Sequence, residues 1–239
     1  MPAELELSVI FPAYNEAGNI RQTIEMALAA LPELCDRFEI VIVDDCGHDG
    51  TGQIADELAD AHPEVRVIHN PRNLGQGASI VRGFREARYE LMLHNAMDYP
   101  FDLRDLRLML PLTREADIIV AARAGRPGYT WFRRFASAAN RMLLRALFPL
   151  RLRDYNFVQV YPRSVWQTIR VEARSTAFLT PEALIRAYDL GYRIREVEVP
   201  YHPRTTGEAT AGRPKVILTS LLDMLRFWWG RRRRRTHER

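Results

Sequence analysis

The side chains able to do chemistry fall in a few tight clusters of this 239-residue sequence. In "LMLHNAMDYPFDL" an apolar run ends in His94, Asn95 and Asp98, followed by Pro100, Phe101 and Asp102. A hard divalent cation prefers oxygen ligands and usually takes two or more carboxylates close together, of which one is missing here. Asp98 is the strong candidate ligand here and Asn95 a weaker one, while a lone His94 at a strand end suits a structural role equally well. "VIVDD" closes on Asp44 and Asp45. A carboxylate at that point can accept from the imide N–H of a nucleobase, or cap the turn that follows. "PRNLGQGAS" brings Asn73, Gly75, Gln76 and Gly77 to a helix start, where glycine lets backbone approach a phosphate closely. The Lys-Ser/Thr pair of a Walker loop is missing, which leaves Arg72 as the nearby cation.

These groups need elements that deliver them to one place. "LSVIFP", "FEIVIVDD", "VRVIHN", "YELMLHN" and "ADIIVAAR" read as five strands. Helical spacing of apolar residues follows between them: Ile20, Ile24, Ala27, Leu28 and Leu31 form one face, with Asn15 or Asn19 as its cap. "QIADELADAH", the stretch after Gly75, and "LRDLRLMLPLTRE" read as further helices. Strand and helix alternate, which predicts an α/β fold with a mostly parallel sheet covered on both faces. Ligands bind such sheets beyond the carboxyl ends of the strands. The polar clusters 12–16, 44–51, 70–77 and 94–102 all fall at those ends, outlining a nucleotide-sized crevice.

Beyond residue 124 the pattern changes. A Gly/Pro turn leads into an amphipathic helix, then "DYNFVQVYPRSVWQTI", "TPEALIRAYDLG" and "YRIREVEVP" alternate. No linker or repeat interrupts them. A single domain over 1–230 is expected, with a first half at 1–123, a second at 124–214, an amphipathic helix at 215–230 and a basic tail at 231–239. The net charge of +4 is local: the last nine residues hold six Arg and one Glu, or +5, so the remainder sums to −1. Such a block is an interaction segment more than a fold feature. Two cysteines are too few for a disulfide framework, and the acidic N-terminal stretch lacks the basic start of an export signal, so a cytoplasmic location is expected. The longest uncharged run of the final helix is about seven residues, against roughly 20 for a bilayer span.

In order and spacing, "VIFPAYNE", "EIVIVDDCGHDGT", "NPRNLGQGASIVRGF" and "GYRIREVEVPYHPRTTGEA" resemble the family 2 glycosyltransferases, most closely the dolichyl- and polyprenyl-phosphate mannosyl- and glucosyltransferase branch. The likeness covers about residues 7–227. It implies a GT-A fold, a GDP- or UDP-sugar donor, inversion at the anomeric carbon, and Mg²⁺ or Mn²⁺. It assigns Pro12, Ala13, Tyr14 and Glu16 to the first nucleotide loop, Asp44 or Asp45 to the base, and Arg72 with the 73–76 segment to the diphosphate. The branch often has Lys where Gln76 stands. Its Asp-x-Asp metal pair is broken: aligning Pro100, Phe101 and Asp102 puts Ala96 and Asp98 at the two positions, whereas aligning the strand end puts Asn95 and Met97 there. The first register is preferred, with Asp98 as metal ligand and Asn95 as a helper.

On the acceptor side the resemblance implies Arg204 and Gly207 closing over phosphates, and Arg133 or Arg134 beside the acceptor. Asp154 precedes a segment in which the branch's Gly-Phe-Arg is absent, and Glu182 matches a Glu at a helix start. The expected reaction moves a hexose to a polyprenyl phosphate, whose phosphate is already a nucleophile. A hydroxyl acceptor in a cell-envelope glycan or lipid would instead need Glu182 or Asp154 as base. A third reading is a nucleotide-sugar-binding member without catalysis. Trp228 and Trp229 ahead of five arginines fit a helix lying on an anionic membrane surface, and no base-stacking pattern points to nucleic acid.

Overall fold

The computed structural model describes residues 4–125, 131–173, 175–200 and 214–237. Seven strands form one sheet: β1 Glu6–Ala13, β2 Arg37–Asp44, β3 Val65–His69, β4 Leu91–His94, β5 Ile118–Arg123, β6 Gln159–Pro162 and β7 Ile194–Val199. Their order is β3-β2-β1-β4-β6-β5-β7. β1 to β4 pair in parallel, and β6 runs antiparallel to both β4 and β5, so β5 and its parallel neighbour β7 point the same way as β1 to β4. Six carboxyl ends therefore share one edge. The order reverses between β1 and β4, and the crevice of a doubly wound sheet opens at such a point.

The five expected strands are present, and period-2 alternation divides their side chains between two cores. Leu7, Val9, Phe11, Ile40 and Ile42 pack on α1 (Ile20–Ala30) and α2 (Thr51–Ala61). Ile10, Val41 and Val43 face α3 (Gln76–Glu86) and the C-terminal helices α4 (Trp131–Leu147), α5 (Arg163–Thr168), α6 (Thr176–Asp189) and α7 (Pro214–His237). α3 lies so close to β1 that a Cβ on Gly83 would sit 2.4 Å from Ile10 Cγ2. Both strand faces are covered, which is why these strands read as unbroken apolar runs.

Four local expectations need correction. The 103–115 stretch forms two 3₁₀ helices, Leu103–Leu108 and Leu110–Arg114, because Asp102 caps the first through Arg104 N and Pro111 withholds a donor in the second. Asn19 holds the N-cap position of α1 but its side chain donates to Glu16 instead of capping, while Asn15 takes a left-handed φ of 55° and accepts from His48 N. α6 starts at Thr176, capped by Ser175, so Glu182 is in mid-helix. α7 continues through the arginines to His237; arginine is a good helix former, and Arg231 forks onto Asp189 at 2.5 and 2.6 Å. Among the described residues no helix is long and apolar enough to cross a membrane.

Candidate functional site

The carboxyl edge of the sheet carries three groups of side chains. On the β2/β3 side, Asp44 ends β2 and is 6% exposed. Its Oδ2 meets His69 Nδ1 at 2.9 Å, and His69 Nε2 meets Asp56 Oδ1 at 2.9 Å. The hydrogen bond to Asp44, opposed by partial burial and helped by Asp56, raises the His69 pKa. Gly52 is needed here because a Cβ would come within 2.9 Å of Asp44 Oδ2. Asp44 Oδ1 is sealed from bulk water and has no hydrogen-bond partner. A buried lone acceptor at a strand end is costly, and an incoming N–H would satisfy it.

Asp45, 2% exposed, is turned the other way. Its carboxylate accepts from Asn70 Nδ2 at 2.7 Å, Leu74 N at 2.8 Å and Gly75 N at 2.8 Å. It organises the loop ahead of α3 with three hydrogen bonds on its carboxylate, whereas Asp44 keeps one oxygen without a partner. Asn73 Oδ1 also accepts from Gly75 N, and Arg72 on that loop and Gln76 at the start of α3 are exposed. Pro12 and Ala13 are the buried end of β1, and Tyr14 beyond them is 43% exposed. The next turn is tied to the loop ahead of α2: Glu16 N donates to Thr51 Oγ1 and Ala17 N to Asp49.

The loop after β4 sits at the switch point. Asn95, 1% exposed, donates to Phe101 O at 2.9 Å, and its Oδ1 accepts from Ala96 N. The expected helper ligand thus braces the loop with both ends of its amide. Thr23 Oγ1 donates to Met97 O, and Phe101 is packed edge-on against Phe157. These anchors fix the backbone around Asp98. His94 lies edge-on to Phe84, and burial lowers its pKa to about 4, so at neutral pH it offers a phosphate no charge. Among the described residues no three His, Cys, Asp or Glu side chains form a ready cation cage. One carboxylate suits a cation that comes with a diphosphate, since Mg²⁺ is often held by one or two carboxylates plus substrate phosphates.

Beyond β5 lies a cleft of about 670 Å³ lined by Arg123, Arg134, Arg141, Arg145, Arg153 and Asp154. Arg123, the last residue of β5, forks onto Asp154 at 2.6 and 2.9 Å and lies over the Phe157 ring. Arg145 is held by Leu152 O, and Arg153 pairs with Glu198. Five guanidinium groups face one carboxylate that is already engaged. Only Arg134 of these arginines was among the expected site residues. Arg141 and Arg145 follow it at helical spacings of seven and eleven, a signal available in the sequence, whereas Arg123 and Arg153 are brought in by tertiary folding.

Glu182 is placed apart from this cleft. It borders a separate cavity of about 310 Å³ beside α7. Its carboxylate accepts from Glu172 N at 3.0 Å, Ala173 N at 2.7 Å and Arg186 Nε at 2.7 Å, and burial is the main influence raising its pKa. The two expected bases, Asp154 and Glu182, are thus not brought together, and each is tied to its own arginine. The Arg133 side chain, Arg204 and Gly207 lie outside the described residues.

The chain is similar to known proteins in sequence and in fold. The family model described as glycosyl transferase family 2 matches residues 8–172. The glycosyltransferase AglD of Haloferax volcanii is 30% identical over 95% of this chain, which spans only 38% of that relative's length. The undecaprenyl-phosphate mannosyltransferase of Micrococcus luteus is 28% identical, covering 86% of this chain and 87% of its own. A glucosyl-3-phosphoglycerate synthase from Mycobacterium tuberculosis, solved with Mn²⁺, uridine diphosphate and phosphoglyceric acid, superposes with a TM-score of 0.72 at 18% identity, over 94% of this chain and 78% of that one. The GT-A-like fold is thereby established.

Proposed function

We propose a reaction for this chain, which belongs to glycosyl transferase family 2: transfer of a hexose from a GDP- or UDP-sugar to a polyprenyl phosphate. The observation that carries the acceptor assignment is the arginine cleft beyond β5. Guanidinium groups match phosphate oxygens with paired donors, and a phosphate oxygen needs no general base. A hydroxyl acceptor would need one, yet Asp154 and Glu182 are both held in arginine pairs. The M. luteus relative's name, an undecaprenyl-phosphate mannosyltransferase, supports the same class of acceptor.

In this reading the base rests on the β2/β3 side with Asp44 as its carboxylate partner. The diphosphate spans the switch point near Asp98, Arg72 and the start of α3. The acceptor phosphate sits among Arg123, Arg134 and Arg141, and one of its oxygens attacks the anomeric carbon. The bond from that carbon to the donor diphosphate breaks, the nucleoside diphosphate leaves with the electron pair, and the configuration inverts. A divalent cation bound by Asp98 and the donor would supply positive charge to the leaving diphosphate. Arg204 and Gly207 are assigned to closure over the phosphates. The exposed row Leu218, Leu222, Leu225 and Trp229 of α7, with the arginines beyond it, is assigned to an anionic membrane surface, at the inner face where the lipid acceptor would be met.

The test is kinetic. Replacing Arg134 and Arg141 together by Gln is expected to raise the acceptor KM at least tenfold while the Kd for the nucleotide is unchanged. Loss of nucleotide binding with an unchanged acceptor KM would overturn the assignment. A thermal-shift series with UDP and GDP, with and without Mn²⁺, tests the donor half, and Asp98→Ala is expected to remove the metal-dependent increment.

A further inference from the structure

Helix α4 presents three different faces. Leu144 is buried, as is Phe148 just past the helix end, and Leu143 and Leu147 pack beside them on the second core. Arg134, Arg141 and Arg145 line the cleft. Trp131, Phe135 and Met142 are 79%, 66% and 71% exposed. At 3.6 residues per turn, spacings of four and seven align these three in one row. The arginine row is centred about 80° around the helix from it, on the same solvent-facing half. Large apolar side chains this exposed, in a row, mark an interaction surface rather than scattered surface residues.

We propose that this face of α4 lies in the boundary of an anionic bilayer, with Trp131, Phe135 and Met142 at the acyl margin and the arginine cleft level with the headgroups. The arrangement is that of an interfacial helix: an apolar row flanked by cations, with an indole, which favours the membrane–water interface. Charge decides between a bilayer and a second copy of the chain. A two-fold contact through the apolar row would set two arginine rows beside each other, whereas anionic headgroups neutralise them. The inference deepens the membrane contact proposed for α7. α7 attaches the protein, and α4 turns the cleft toward the leaflet, so an acceptor phosphate enters without leaving the headgroup layer.

The test uses the full chain and vesicles of phosphatidylcholine and phosphatidylglycerol in equal parts. The triple variant Trp131→Gln, Phe135→Gln, Met142→Gln is expected to weaken vesicle cosedimentation at least tenfold, with the melting temperature unchanged. In a second protein carrying Trp166→Phe, Trp228→Phe and Trp229→Phe, Trp131 fluorescence is expected to be quenched by brominated acyl chains. Unchanged cosedimentation together with no quenching overturns the proposal. So does a wild type that is dimeric without lipid and a triple variant that is monomeric, which would assign the row to a second copy. Nucleotide thermal shifts on the same proteins read the donor site separately, so failure of the transferase reading leaves the vesicle result interpretable.

Discussion

Replacement of Asp45 by Ala tests how this sequence builds the loop ahead of α3. The carboxylate is 2% exposed and accepts three hydrogen bonds, two from backbone N–H groups of the 74–75 turn and one from Asn70. A hydrogen bond to a charged group contributes about 1.5–3 kcal/mol, so three would sum to about 4.5–9 kcal/mol if fully additive. They are not additive here. Leu74 is 41% exposed, so water can reach its N–H once the carboxylate is gone. Asn70, by contrast, stays buried beside Ser79 and Arg82. A loss of about 3 kcal/mol is therefore expected. For a chain of this size that is about 6–12 °C in melting temperature. Asp45→Asn keeps the Oδ1 acceptor for Asn70 and Leu74 but sets an amide donor against Gly75 N, so its cost should be smaller. Thermal unfolding followed by circular dichroism measures both. A drop below about 3 °C for the alanine variant, or an Asn variant as unstable as the Ala variant, would refute the reasoning.

Gly83→Ala is expected to destabilise by about 1–3 kcal/mol in urea unfolding, because the new methyl overlaps Ile10 Cγ2 and outweighs the gain in helix propensity. His69 has a raised pKa, so its pairing stabilises the fold fully below the unfolded value of about 6.5 and loses that contribution as pH rises through the higher folded value. The difference in melting temperature between wild type and His69→Gln should therefore shrink from pH 6 toward alkaline pH, and a difference that grows would contradict the pairing with Asp44 and Asp56. Glu182→Gln should cost about 2–3 kcal/mol through the weakened Arg186 pair, while folded protein retains turnover. Abolished turnover with the fold intact would revive a hydroxyl acceptor with Glu182 as base.

The strands and the crevice were legible because β1 to β4 are apolar runs closed by Pro, Asp, His or Asn, β5 is one closed by Arg123, and local sequence encodes both features. The place of β6 was not legible, since an antiparallel strand inserted between β4 and β5 depends on pairing across more than sixty residues. Asp44 and Asp45 were found as a pair, but their division of labour depends on His69 and on the 74–75 turn, which only the folded chain brings close. Asn95 reads in the sequence as a weaker oxygen ligand, and its bonds to Phe101 O and from Ala96 N depend on the turn that only the folded chain forms. The arginine cleft was half visible, as a row on α4, and its completion by Arg123 and Arg153 required the sheet.

The central claim is that a sugar moves from a nucleotide donor to a lipid phosphate held by the arginine cleft. It is tested most directly by incubating the chain with radiolabelled UDP- and GDP-hexoses, Mn²⁺ and a polyprenyl phosphate, then extracting into butanol. The account predicts label in the organic phase that is released by mild acid, as a glycosyl phosphate ester is, and that falls at least tenfold for Arg134→Gln/Arg141→Gln at limiting acceptor. Label confined to the aqueous phase with every donor, or organic label equally abundant when the lipid phosphate is replaced by the free polyprenol, would contradict it.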